Sequence, residues 1–159
     1  TISPYLEQSN MDYIQIAPSN SNYIYVGRSD SLYRTTNGGT SWSTLTVPGT
    51  GVKEIAVSPT DPNTLWLVRS NYTAGAKVYK STNGGSTWTN VSGNLPNLPV
   101  NCVIYQNNTD QGIYVGMDVG VYYKDNTMAN WQLYNTGLPN VEITDLKIKY
   151  NTNELIAAT

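Results

Sequence analysis

The segment Arg34–Thr44 reads RTTNGGTSWST, and Lys80–Asn90 reads KSTNGGSTWTN. A phrase that returns in phase with the strands around it constrains a chain more than its composition does, because each copy must fill the same place in a repeated unit. Four such units are visible. Each opens on an alternating apolar stretch: MDYIQIAPSNSN from Met11, VKEIAVSPTDPN from Val52, VNCVIYQNNTDQ from Val100 and VEITDLKIKYNTN from Val141. Ile14, Ile55, Val103 and Leu146 correspond, as do Ile16, Val57, Tyr105 and Ile148, and period-two alternation predicts one buried face on each strand.

Second strands follow at YIYVG, TLWLV, GIYVG and ELIAA, nearly continuous in apolar character, as strands covered on both faces should be. Third strands are SLYRT, KVYKS and GVYYK. Fourth strands begin at Trp42, Trp88 or Trp131, and prolines at 48, 96 and 139 close the units. Four short antiparallel strands in about 40 to 48 residues define a β-propeller blade. The fold class expected is therefore all-β, a propeller with blades at 11–51, 52–99 and 100–140, and the first half of another at 141–159. Residues 1–10 read as the end of a preceding blade and its linker. Propellers close with four to eight blades, and an open arc leaves strand edges unpaired. The expected partner is thus the remainder of the same propeller or a neighbouring chain.

Within the repeated phrase, Thr35, Asn37, Gly39, Ser41 and Trp42 match Ser81, Asn83, Gly85, Thr87 and Trp88. A third copy keeps Trp131, with Asn126 at the Asn position. Asn accepts backbone N–H bonds in a turn, Gly supplies positive φ, and Trp covers the turn with a large ring. The pattern resembles the Asp-box (BNR) repeat of sialidases, with Asn for the usual Asp. The wider chain looks like sortilin/Vps10-like and xyloglucanase-like propellers, and most like those in large secreted surface proteins of Bacteroidetes. The resemblance implies a structural box lying away from any active site, and a secreted or cell-surface location.

The chain carries 9 Lys and Arg against 11 Asp and Glu, and no His. Scattered basic residues argue against a nucleic-acid surface, which needs clustered cations. The lack of His removes the commonest metal ligand and general base. No metal or cofactor is expected, and no apolar run is long enough to insert into a membrane. The single Cys102 has no internal disulfide partner.

In a propeller the loops between second and third strands share a face with the inter-blade linkers, and binding sites lie there. That places Arg28, Asp30, Arg69, Asn71, Tyr72, Met117 and Asp118 on one candidate face, with Asn97 and Asn140 joining from linkers. The sialidase set of three arginines with a Tyr nucleophile is not matched by Arg28, Arg34 and Arg69. A xyloglucanase-like hydrolase needs two facing carboxylates, for which Asp30 and Asp118 are the candidates. Tyr13, Tyr23, Tyr33 and Tyr79 suit either a sugar platform or the core. The favoured reading is a non-catalytic module presenting its loop face to a glycan or protein. The alternatives are a glycoside hydrolase segment and a subunit of a surface filament or layer.

Overall fold

A computed structural model describes residues 11–28 and 30–159. The expectation for residues 1–10 lies outside the described residues. Fourteen strands and no helix are found among those described. Strands β1 (Tyr13–Ile16), β2 (Ile24–Arg28), β3 (Ser31–Thr35) and β4 (Ser43–Leu45) form one antiparallel sheet in chain order. The second sheet is β5 (Val52–Val57), β6 (Leu65–Arg69), β7 (Val78–Ser81) and β8 (Thr89–Asn90). The third is β9 (Val100–Gln106), β10 (Gly112–Met117), β11 (Gly120–Lys124) and β12 (Gln132–Leu133). Strands β13 (Asp145–Lys149) and β14 (Glu154–Ala158) form a two-stranded sheet.

The sheets stack face to face, with β1, β5, β9 and β13 adjoining along one side. Three apolar layers hold the stack. Ile55, Val57, Leu65 and Leu67 meet Tyr25, Leu32 and Leu45 of the first sheet. Trp66, Val68 and Val78 meet Val103, Val115 and Met117 of the third. Cys102, Tyr114 and Val121 meet Ile143 and Leu146. Strand β6 is buried at every position, because sheets lie on both its faces.

Three expectations are corrected. Ile14 and Ile16 are 59% and 54% exposed, because their face of β1 points away from the second sheet and meets no other sheet among the described residues. Their register equivalents Ile55 and Val103 lie on interior layers instead. The fourth repeat's first strand begins at Asp145, not Val141. Third, in the shortened turn after β11, Asp125 rather than Asn126 takes the Asn position. Its carbonyl accepts from Met128 N–H, as Asn37 and Asn83 accept from Thr40 and Ser86. Asn126 N–H bonds the Asp110 carbonyl, as Gly38 and Gly84 bond Asn22 and Asn63.

Two glycines in second strands answer close approaches. A Cβ at Gly27 would fall 1.9 Å from the Tyr13 ring, and one at Gly116 would fall 2.5 Å from Cys102 Sγ. Each lets a first-strand side chain fold across its own sheet.

Candidate functional site

The last residues of β2, β6 and β10 and the loops after them carry most of the residues singled out from the sequence. Asp30 Oδ1 accepts from the N–H groups of Gly51 and Val52, at 2.5 and 3.2 Å, so its carboxylate fastens the linker entering the second blade. Arg69 holds the same linker from the other side. Its Nε donates to the Thr50 carbonyl at 2.7 Å, and its guanidinium lies 5.9 Å from the Tyr79 ring centre. Only 7% of Arg69 is exposed. The linker passes so close that a Cβ at Gly49, where φ is +73°, would sit 2.7 Å from Arg69 Nη2. Asn71 Nδ2 donates to the Thr50 carbonyl as well, at 3.1 Å.

The buried Lys77 donates its ammonium to the Asn71 carbonyl. Burial, and then the nearby Arg69 charge, lower its pKa. Loop two is tied to loop three through Asn101. Ser70 Oγ donates to Asn101 Oδ1 at 3.3 Å, and Asn101 Nδ2 donates to Asp118 Oδ1 at 2.9 Å. Asn140 Oδ1 accepts from Asn135 Nδ2 at 3.3 Å. Arg28, Tyr72, Asn97 and Asn140 are exposed, Tyr72 to 70%. Met117, expected on this face, is fully buried between the second and third blades. It ends a strand with both faces covered, and its carbonyl bonds Ile143 N–H.

Sequence reasoning missed a polar cavity of about 820 Å³ beside the loop face. Asp12, Tyr13, Lys53, Glu54, Asp145 and Lys147 are among its lining residues. Glu54 Oε2 accepts from Val103 N–H at 2.9 Å, joining β5 to β9. Burial raises its carboxyl pKa against the lowering effect of that bond, and Asp145 raises it further. The Tyr13 hydroxyl is buried with no hydrogen-bond partner among the described residues. Burial and then Glu54 raise its pKa. One signal was available: Glu54 shares the strand face of Ala56, so the alternation placed a carboxylate on an otherwise apolar side. Among the described residues no group of three His, Cys, Asp or Glu converges as a metal site would require.

The repeated turns sit at the opposite ends of the third strands. Ser81 Oγ accepts from Gly85 N–H at 2.8 Å and donates to Asn83 Oδ1 at 3.0 Å. Asn83 Oδ1 also accepts from Thr87 N–H at 2.9 Å, and Asn83 Nδ2 donates to Thr87 Oγ1 at 2.8 Å. Thr35, Asn37, Gly39 and Ser41 repeat the set at 3.0, 2.8, 2.9 and 2.8 Å in the same roles. After β11, Asp125 Oδ1 accepts instead from Thr127 N–H and Oγ1. Those bonds, the Thr127 hydroxyl's first, hold its carboxyl below the usual range.

Antiparallel sheets of up to four strands, stacked in chain order with their first strands adjoining, define a β-propeller. The sequence profile of the DUF6242 beta propeller domain matches residues 6–156, and the chain belongs to that family. No curated protein matches it in sequence. Among solved structures, the GH74 enzyme of Niastella koreensis is 25% identical with a TM-score of 0.60, over 79% of this chain and 21% of that one. YCF48 from Cyanidioschyzon merolae gives 16% and 0.66, over 97% and 51%; YCF48 has also been solved bound to D1 peptide. The extracellular domain of the putative one component system BT4673 from B. thetaiotaomicron gives 17% and 0.70, over 99% and 21%. The chain spans only about a fifth of the GH74 chains it matches.

Proposed function

We propose that this chain is a non-catalytic binding or scaffold module of a secreted or cell-surface protein, presenting its loop face to a glycan or protein ligand. One observation carries the reading: the two candidate loop carboxylates are engaged as fasteners. Asp30 holds the backbone of Gly51 and Val52, and Asp118 holds Asn101. In each, Oδ1 is directed at structural N–H donors, which orients the carboxylate toward the scaffold rather than toward a substrate. What remains available on the face is a set of contact groups: the Arg28 cation, the Tyr72 ring and the Asn97 and Asn140 amides. Aromatic and Arg side chains of this kind anchor interfaces when the scaffold beneath them is rigid. The Asx-type repeated turns, matching the Asp-box pattern, supply rigidity at the other end of each sheet.

The 25% identity to a GH74 enzyme supports a second reading, a segment of a glycoside hydrolase propeller. One experiment separates the two. The full natural polypeptide is assayed against glycan and peptide arrays, and for turnover of any polysaccharide it binds. Tyr72→Ala and Arg28→Ala should weaken binding about tenfold or more, with no turnover in any form. Hydrolysis that is lost in Asp30→Asn or Asp118→Asn, with binding kept, would overturn the binding-module reading in favour of the hydrolase.

A further inference from the structure

We propose that the outer face of the first blade is the seat of one more four-stranded blade of the same build, and that the Trp42 indole N–H receives a backbone carbonyl from that blade's outer strand. The proposal rests on the propeller assignment and deepens it by naming the groups at the joint.

The molecule shows the joint twice. Trp88 Nε1 donates to the Thr46 carbonyl at 3.0 Å, and Thr46 directly follows β4 of the blade before it. Trp131 Nε1 donates to the Val91 carbonyl at 2.9 Å, and Val91 directly follows β8. Trp42 occupies the same place in the first blade, yet its Nε1 is buried and has no hydrogen-bond partner among the described residues. A donor removed from water and left unbonded is a rare feature of native structures, and one that calls for an explanation.

Two further observations describe the occupant. At the existing joint, the turn glycine Gly85 is met by Leu45 of the preceding blade, 2.7 Å from an added Cβ, and Gly84 by Arg34 of that blade. At the first blade, an added Cβ on Gly39 meets only Trp42 among the described residues, and one on Gly38 meets only Asn22. Among the described residues, nothing takes the place of the apolar outer-strand residue or of the long third-strand donor. Alongside them, Ile14 and Ile16 are more than half exposed where Ile55 and Val57 are buried against the preceding blade. The occupant therefore has an outer strand ending in an aliphatic residue followed by a carbonyl, and a third strand bearing Arg or Lys at the Arg34 position.

The test uses the full natural polypeptide labelled with ¹⁵N-tryptophan, with Trp42→Phe assigning the Trp42 indole signal. The Trp42 indole proton should show the downfield shift of a hydrogen-bonded N–H. It should exchange with solvent within about tenfold of the Trp88 and Trp131 protons. Ile16→Glu, which places a charge in the joint, should speed Trp42 exchange about a hundredfold while Trp131 stays protected as the internal sign of folding. An upfield Trp42 signal, or exchange unmoved by Ile16→Glu, overturns the proposed seat. Loss of protection at Trp88 and Trp131 as well would overturn the propeller assignment beneath it.

Discussion

Arg34 Nη1 lies 2.9 Å from the Gly84 carbonyl and 3.4 Å from that of Asn83, so a third-strand side chain of the first blade holds the turn of the second. These bonds cross the joint beside its apolar contacts, together with the Tyr25 hydroxyl bond to the Pro62 carbonyl and the Trp88 bond to Thr46. Hydrogen bonds to a charged group contribute about 1.5–3 kcal/mol each when they are well made and sheltered. Partial exposure here argues for the low end. Arg34→Ala should lower stability by about 1–2 kcal/mol in urea denaturation. Gly84→Ala should cost more than that: its φ is +68°, and its Cβ would land 2.2 Å from Arg34 Nη1. Equal stability of Gly84→Ala and wild type would refute this account of the joint.

The Ser81 hydroxyl is the buried centre of its turn. Ser81→Ala strands the Gly85 N–H in a buried position, at a cost of about 1–3 kcal/mol. Asn83→Asp keeps the acceptor for Thr87 N–H, and the Thr87 hydroxyl can donate in place of accepting. That variant should stay within about 0.5 kcal/mol of wild type, and Asn83→Ala should not. Thermal unfolding of the three variants side by side checks the order.

Glu54 titrates in the direction set by burial. Its carboxyl stands above the ordinary 4.5, so the folded state holds that proton more tightly than the unfolded chain does. Its contribution is complete below pH 4.5 and is lost as the pH rises through the folded value. Glu54→Gln keeps an acceptor for Val103 N–H and removes the charge. It should match wild type at pH 4 and exceed it at pH 8; a gain of equal size at both would contradict the buried-carboxylate argument.

Cys102 is 2% exposed, and burial, then Glu54, push its thiol up to about 12. With so little thiolate it should react with a disulfide reagent only as the chain unfolds. Labelling kinetics across a denaturant series should follow global unfolding. Rapid labelling in native buffer would show that the layer between the third blade and β13–β14 opens on its own.

Much of this architecture was legible in the residues. Alternation, the position of each Trp and the Asn-Gly-Gly turns specify strand order, because those signals act over a few neighbouring residues. The twofold turn chemistry was equally local, since Ser81, Asn83 and Thr87 bond one another within seven positions. The third copy misled because one residue is absent before its turn and one is added after. Lys124 stays in register with Thr35 and Ser81 while the turn slides back onto Asp125.

The candidate site was only half legible. Loop position places Asp30, Arg69, Asn71 and Asp118 on the correct stretches of chain, but not whether they face a ligand or a linker. That depends on Thr50, Gly51 and Asn101, which lie 17 to 21 residues away and arrive only when strands pair and blades stack. Ile14 and Ile55 read alike, yet one is exposed and the other buried, because burial belongs to the neighbouring sheet and not to the strand. The sequence by itself determined the strands, their order and the turns that reverse them, through short-range sterics and hydrogen bonding. Only the tertiary structure decided which polar groups are fasteners, that Met117 is core and that Trp42 finds no acceptor among the described residues. Those outcomes depend on which surface each blade meets, and no alternation within one blade records it.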